Sequence, residues 1–291
     1  MKLQPSSTLI DHIEHHSRVN TDELAYRYID YSRERDGEAL ELTWEQFGVR
    51  LRAVAARLQQ VTKRGDRVAV LAPHGLDYVI SFFAAIQAGS IVVPLFDPDE
   101  PGHTDRLHAV LGDCTPTAIL TAASSAAGVR DFYSSRPPGA RPRIIAVDAI
   151  PDTVGETWVR PDIELDDIAY LQYTSGSTRS PAGVEITHRA VGTNAMQIVD
   201  SLTLDSTSRG VTWLPLFHDM GLLTVILPAL RIVDQLTIMS PRAFVQRPYR
   251  WIKELAAVSD GAGTFAAAPN FAFEHAAARG LPKDGETLDL S

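Results

Sequence analysis

Apolar positions along the chain follow two rhythms, and the change between them falls near Arg67. Before it, Tyr26 and Tyr28 alternate with polar neighbours, Asp36-Gly37 supplies a turn, and Leu40-Glu41-Leu42 answers on the other side. That pattern predicts a β-hairpin between two helices. Thr43-Trp44-Glu45-Gln46 has the form of a capping box, and Phe47, Leu51, Val54 and Leu58 follow at helical spacing. After Arg67, short β-rich runs ("RVAVLA", "IVVPLF", "TAILT", "RIIAV") alternate with helical stretches such as Asp77 to Ala88 and Thr104 to Leu111. A second set starts near Asp167 with "IAYLQYTSG", "GVEITH" and its following helix, "GVTWLPL", "QLTIM" and a helix from Phe244 to Ala257. Alternation of this kind predicts an α/β fold of largely parallel sheets covered by helices in right-handed βαβ units. The Pro/Gly-rich stretch Ser134 to Pro151 is the expected boundary between the sets. The expected division is therefore an N-terminal helix–hairpin–helix segment over 1–66, a first α/β subdomain over 67–150 and a second over 151–291.

Composition narrows the partners. With 45% hydrophobic residues, 291 residues can bury one large core or two smaller ones. Net charge is −9, only four lysines occur and no basic tract exists, which argues against a nucleic-acid partner because phosphate neutralisation needs clustered Lys and Arg. Cys114 is the single cysteine, so no disulfide framework or CxxC metal pattern is available, and a reducing compartment is expected. The opening "MKLQPSSTLIDHIEHH" lacks the apolar region of a signal peptide. The longest apolar run, Leu222 to Leu230, is too short to span a bilayer and contains Pro228. A cytoplasmic protein without a transmembrane segment is the expectation.

One stretch carries candidate chemistry: "YTSGSTRSPAGVEITH", Tyr173 to His188. Its loop follows an apolar strand and precedes another strand. Gly176 and Gly183 allow close approach of the backbone to a ligand, and the hydroxyls of Thr174, Ser175, Ser177 and Thr178 add donors to exposed N–H groups. Such a loop can wrap an oxyanion, although turn residues gather in ordinary surface loops as well. It is neither a Walker P-loop, since GxxxxGK[ST] is absent, nor a nucleophile elbow, since no G-x-S-x-G occurs in it.

"YTSGSTRSPAGV" resembles the signature loop of the acyl-adenylate-forming superfamily, YTSG[ST]TGxPKGV. "WLPLFHDMGLL", Trp213 to Leu223, and "AAPNFAFEHA", Ala267 to Ala276, resemble two further segments of its fatty acyl-AMP ligases. The resemblance runs over essentially the whole chain and is nearest the mycobacterial type. It implies the N-terminal part of the adenylate-forming enzyme fold and ATP-dependent activation of a long-chain fatty acid, with Mg²⁺ neutralising the phosphates. It further implies transfer of the acyl group to an acyl carrier protein or polyketide synthase. In the family a fatty acyl-CoA ligase shares all these motifs, and a truncated, inactive adenylation domain is the non-enzymatic alternative. The family also completes its nucleotide site with later groups, an aromatic-Gly-x-x-Glu motif, a ribose-binding aspartate and a closing lysine. None has a counterpart in these 291 residues, so an incomplete chain is expected.

The resemblance implies that Thr174, Ser175, Gly176, Ser177, Thr178, Arg179 and Gly183 form the nucleotide site. The superfamily's loop glycine is Arg179 here and its loop lysine is Ala182. Loss of that ammonium removes a phosphate contact worth on the order of 1 to 3 kcal/mol, which the planar guanidinium of Arg179 is placed to replace. The resemblance also sets His218 at the border of the acyl pocket, beside the reacting carboxylate or its phosphate, and places Phe217, Asn270 and Phe271 in that pocket. Read on residue type alone, His218 packs or caps locally, Asp219 and Asn270 are N-caps, and Phe271 and Phe273 belong to a core. His12, His15 and His16 have spacing open to a metal, but solvated helix histidines are the plainer reading. Glu185 and Arg189 are expected to pair across the loop surface.

Overall fold

The computed structural model describes residues 7–98, 104–174, 181–258, 263–282 and 287–289. The chain opens, as the hydrophobic pattern predicts, with α1 (Leu9–Val19), β1 (Leu24–Asp30), β2 (Glu38–Thr43) and α2 (Trp44–Gln59). The first N–H groups of α2 are satisfied by chain carbonyls, Trp44 N donating to Glu23 O at 2.9 Å and Glu45 N to Thr21 O at 3.1 Å. Then follow β3 (Arg67–Val70), α3 (Leu76–Gln87), β4 (Ile91–Pro94), α4 (Thr104–Cys114), β5 (Ala118–Thr121), α5 (Ala126–Phe132) and β6 (Arg143–Ala146). The last third holds β7 (Ile168–Tyr173), β8 (Gly183–Thr187), α6 (His188–Leu202), β9 (Arg209–Thr212), α7 (Asp219–Ala229) and β10 (Gln235–Met239). It closes with α8 (Pro241–Gln246), α9 (Tyr249–Val258), β11 (Thr264–Phe265) and α10 (Asn270–Arg279).

Two expected elements come out differently. The helix expected over Phe244 to Ala257 is two helices, because Pro248 lacks an N–H and pushes Arg247 out of the helical region, to φ −153° and ψ 85°. The strand expected over "GVTWLPL" stops at Thr212, whose hydroxyl accepts a bond from Leu214 N at 3.2 Å and turns the chain.

Contacts divide the chain into two compact units, and both are discontinuous. One comprises Met1–Leu3, His15–Glu45 and Asn194–Ser291, the other Gln4–Glu14 and Gln46–Thr193. This departs from the contiguous division at Ser134 to Pro151. β6, at the end of that stretch, pairs with β5 in the same sheet that holds β7, and short 3₁₀ turns occupy Pro138–Ala140 and Val147–Ala149. The strands that look like a second set by sequence are shared out between two sheets.

The larger unit is built on a six-stranded sheet ordered β6-β5-β3-β4-β7-β8, parallel except for β8, which returns antiparallel to β7. β3 and β5 read as continuous apolar runs because both faces are covered, and every residue of α3 from Tyr78 to Gln87 is buried. The other unit has a five-stranded sheet ordered β11-β9-β10-β1-β2, in which only β1 and β2 pair antiparallel. Its core includes Trp213, Phe244 and Trp251, the first two stacked with centroids 4.0 Å apart and planes 8° from parallel.

Candidate functional site

The loop singled out by sequence joins two antiparallel strands, and its base is the register pair Tyr173 and Gly183. Thr174 is exposed at its start, whereas Ser175, Gly176, Ser177, Thr178 and Arg179 lie outside the described residues. A Cβ at Gly183 would lie 3.0 to 3.2 Å from the outer ring atoms and hydroxyl of Tyr173, so the glycine makes room for that side chain.

Tyr173 cannot easily give way, because α4 holds it at two points. Its hydroxyl donates to Asp113 Oδ2 at 2.5 Å, and Arg106 Nη2 donates to its carbonyl oxygen at 3.2 Å. Burial, with the Asp113 carboxylate as acceptor, pushes the phenol well above its usual range. Arg106 and Asp113 stand seven residues apart, two helical turns, and so share a face of α4. That spacing is the trace this anchor leaves in the sequence. Gly183→Ala is expected to cost about 1 kcal/mol, from a contact that is tight and anchored. The loss should shrink in a Tyr173→Phe background, where the hydroxyl and its bond to Asp113 are removed. A double-mutant cycle by urea unfolding measures this, and additive losses would refute the contact.

Beyond β8, His188 opens α6 and is buried at 4% exposure. Its Nδ1 accepts the N–H of Leu9 at 3.4 Å, and burial pushes its pKa down from 6.5 to about 4 despite the nearby carboxylates of Asp167 and Asp11. A histidine that stays neutral when folded lets the unfolded chain bind more protons, so stability is lost as pH falls from about 6.5 towards about 4. Between pH 7 and pH 5 the unfolding free energy should drop by about 2 kcal/mol through this residue. His188→Gln should remove that share of the pH dependence; equal slopes in the two proteins would contradict it. Arg189, expected to face Glu185, instead pairs with Asp166, at 2.7 Å from Nε and 3.0 Å from Nη2.

In the other unit, His218 lies past the carboxyl end of β9, where ligands bind in open α/β sheets. It is the N-cap residue of α7 by backbone position, with φ −86° and ψ 145°, but its ring makes no cap bond. Asp219, expected to be the N-cap, is the first residue of the helix, where its carboxylate faces the positive end of the helix dipole and accepts Met220 N at 2.7 Å. The imidazole Nδ1 is 2.6 Å from Asp219 Oδ1 and the ring is 62% exposed, so it is neither packed nor spent on the helix. Asp219 thereby orients the ring and leaves Nε2 as the outward nitrogen. Phe217 beside it is half-buried.

Asn270 is likewise the first residue of its helix, with Pro269 as N-cap, and is exposed. α10 turns Ala272 and Ala276 into the core and leaves Phe271 and Phe273 at 54% and 55% exposure, correcting the expectation that these rings are core. The small side chains go inward because α10 must approach Trp213 and Trp251 closely. Phe271 meets the edge of Trp213 at 6.0 Å, and Phe273 tilts on Trp251 at 5.8 Å. An apolar groove of about 560 Å³ takes Trp251, Phe265, Phe273 and Leu281 into its walls but none of Phe217, Asn270 and Phe271.

Among the described residues no three His, Cys, Asp or Glu side chains gather as a metal site. His15 is exposed, whereas His16 is buried rather than solvated, 3.0 Å from Asn20 Oδ1 and tilted on Trp44 at 5.3 Å. No helix among the described residues is long and apolar enough to cross a membrane.

Residues 13–285 match the family described as AMP-binding enzyme. Long-chain-fatty-acid–AMP ligase FadD32 of Mycolicibacterium smegmatis is 57% identical over all of this chain, and FadD26 of the same designation from Mycobacterium bovis is 42% identical over 92% of it; the chain spans 46% of each. Among solved structures, a fatty acyl-adenylate ligase from L. pneumophila, in complex with acyl adenylate and pyrophosphate, superposes with a TM-score of 0.85 at 29% identity. That match covers 98% of this chain and 48% of that one. The chain thus spans about half the length of the relatives it resembles, and with nearly all its residues inside the match it belongs to the AMP-binding enzyme family.

Proposed function

We propose that this chain contributes the phosphate loop and part of the acyl site to an enzyme that activates a long-chain fatty acid with ATP. The fatty carboxylate oxygen attacks the α-phosphorus, an acyl–phosphate bond forms, the bond to the β-phosphate bridge breaks, and pyrophosphate leaves with its electron pair. Chemistry of this kind needs positioning and charge stabilisation more than a protein nucleophile. Thr174, Ser175, Gly176, Ser177 and Thr178 hold the β- and γ-phosphates, and Arg179 supplies the charge that Ala182 cannot. Gly183 acts through the base of the loop, by admitting the Tyr173 ring. His218 borders the carboxylate or its phosphate, and Phe217, Asn270 and Phe271 border the acyl chain. Mg²⁺, when bound, would neutralise the phosphate charge.

The observation that carries the reading is 57% identity across the full chain to a long-chain-fatty-acid–AMP ligase. We further propose a carrier protein or polyketide synthase, rather than coenzyme A, as acyl acceptor, and a cytoplasmic setting.

Fatty-acid-dependent ATP–pyrophosphate exchange, in a protein carrying this chain at its relatives' full length, tests the loop assignment. Arg179→Ala should raise the KM for ATP by an amount equivalent to about 1 to 3 kcal/mol, and adding Ala182→Lys should restore part of it. An unaffected Arg179→Ala would remove that residue from the phosphate site.

A further inference from the structure

Arg57 in the last turn of α2, Arg130 in α5, Arg143 at the start of β6 and Arg141 two residues before it line one cavity of about 430 Å³. Tyr133, 1% exposed, and Ile144 form part of its wall. Among the described residues no acidic side chain lines it. Elsewhere guanidinium groups in this chain find carboxylates: Arg27 with Glu254, Arg64 with Asp167, Arg189 with Asp166 and Arg209 with Asp234. The four cavity arginines have no such partner among the described residues, although the chain carries a net charge of −9. Two are already held in place. Arg141 donates from Nε to Arg136 O at 2.6 Å and from Nη2 to Ser134 O at 2.7 Å, and Arg57 Nη1 donates to Gln60 Oε1 at 2.5 Å. Arg136 lies over the Tyr133 ring, 5.1 Å from its centroid, and adds a fifth positive charge beside the wall. All four cavity arginines are exposed, and like charges gathered around one cavity favour an anion that several guanidinium groups contact together.

The cavity is not the phosphate loop. β6 is one edge of the six-stranded sheet and the loop springs from β7, four strands away, roughly 19 Å at ordinary strand spacing. The strands between run parallel, so Arg141 and Arg143 stand at the amino end of the sheet while the loop leaves the carboxyl end. We propose that this cavity is a second anion site, which takes a small phosphate-bearing molecule. Its size falls within the range of about 300 to 1,000 Å³ typical of small-molecule pockets, and a concave site suits such a ligand better than an acidic protein surface. The apolar wall gives an organic part of the ligand somewhere to lie.

The test is a titration of the 291-residue chain with inorganic pyrophosphate at low salt, followed by ¹H–¹⁵N signals of the arginine Nε–H groups and assigned with Arg130→Gln and Arg143→Gln. The Arg130 and Arg143 signals should shift saturably, while sodium chloride at matched ionic strength should not reproduce the curve. In the double glutamine variant, affinity read from Arg141 should fall at least about tenfold. The double lysine variant, which keeps charge but loses the fork, should fall between the two and serves as a check on folding. Unresponsive Arg130 and Arg143 signals, a non-saturating response equal to that of chloride, or unchanged affinity in the double glutamine variant would each overturn the proposal.

Discussion

Gly221→Ala is expected to destabilise the unit that carries His218 by at least about 1 to 3 kcal/mol, the usual cost of overpacking, and to displace the histidine. A Cβ at this position would lie 2.2 Å from Pro215 O and 2.9 Å from Pro215 C. These are backbone atoms, which cannot swing aside as a long side chain would. The same carbonyl accepts the N–H of His218 at 3.1 Å, and His218 O accepts from Leu222 N at 2.8 Å. Any relaxation of the clash is therefore passed to the turn that sets the imidazole. Urea unfolding measures the first effect and the His218 ring signals the second. A variant within about 0.5 kcal/mol of the parent, with unchanged ring signals, would show that the turn is not packed as described.

A larger effect is expected in catalysis. The chain spans 46% of the FadD32 relative, and the family's later motifs have no counterpart among its residues. Transition-state stabilisation depends on all donors being held together, and losing one typically costs about 10²- to 10³-fold in rate. Purified as 291 residues, the chain should form acyl-adenylate at least that much more slowly than a protein of the relatives' length, and bind ATP weakly. Labelled long-chain fatty acid with ATP and Mg²⁺ reads this out directly. Repeated turnover by the shorter chain would mean that the indispensable groups all lie within it.

Much of the architecture was legible because burial imposes itself on pattern. "RVAV" and "AILT" are strands covered on both faces, and their apolar runs say so. The loop between β7 and β8 was legible as a strand–loop–strand motif from its glycines, hydroxyls and flanking apolar runs. What escaped depends on neighbours distant in sequence. Nothing near Gly183 announces the Tyr173 ring, and nothing near Tyr173 announces Asp113, sixty residues earlier. The discontinuous units escaped for the same reason, since β1 pairs with β10 across some two hundred residues and no local signal records it. Helix starts were missed by one position at Asp219 and Asn270, where the preceding residue already has extended backbone. Phe271 and Phe273 lie outside the core, although aromatic rings usually seek the interior, because alanines take the inward face of α10.

Under the proposed function this chain serves fatty-acid adenylation. The most direct measurement is product analysis with a protein carrying the chain at its relatives' length, supplied with ATP, Mg²⁺ and a labelled long-chain fatty acid, and no coenzyme A. Acyl-AMP and pyrophosphate are expected in equal amounts, with yield cut by about 10²-fold in His218→Ala while thermal stability is kept. Absence of acyl-AMP under these conditions, with ATP bound and the protein folded, would contradict it.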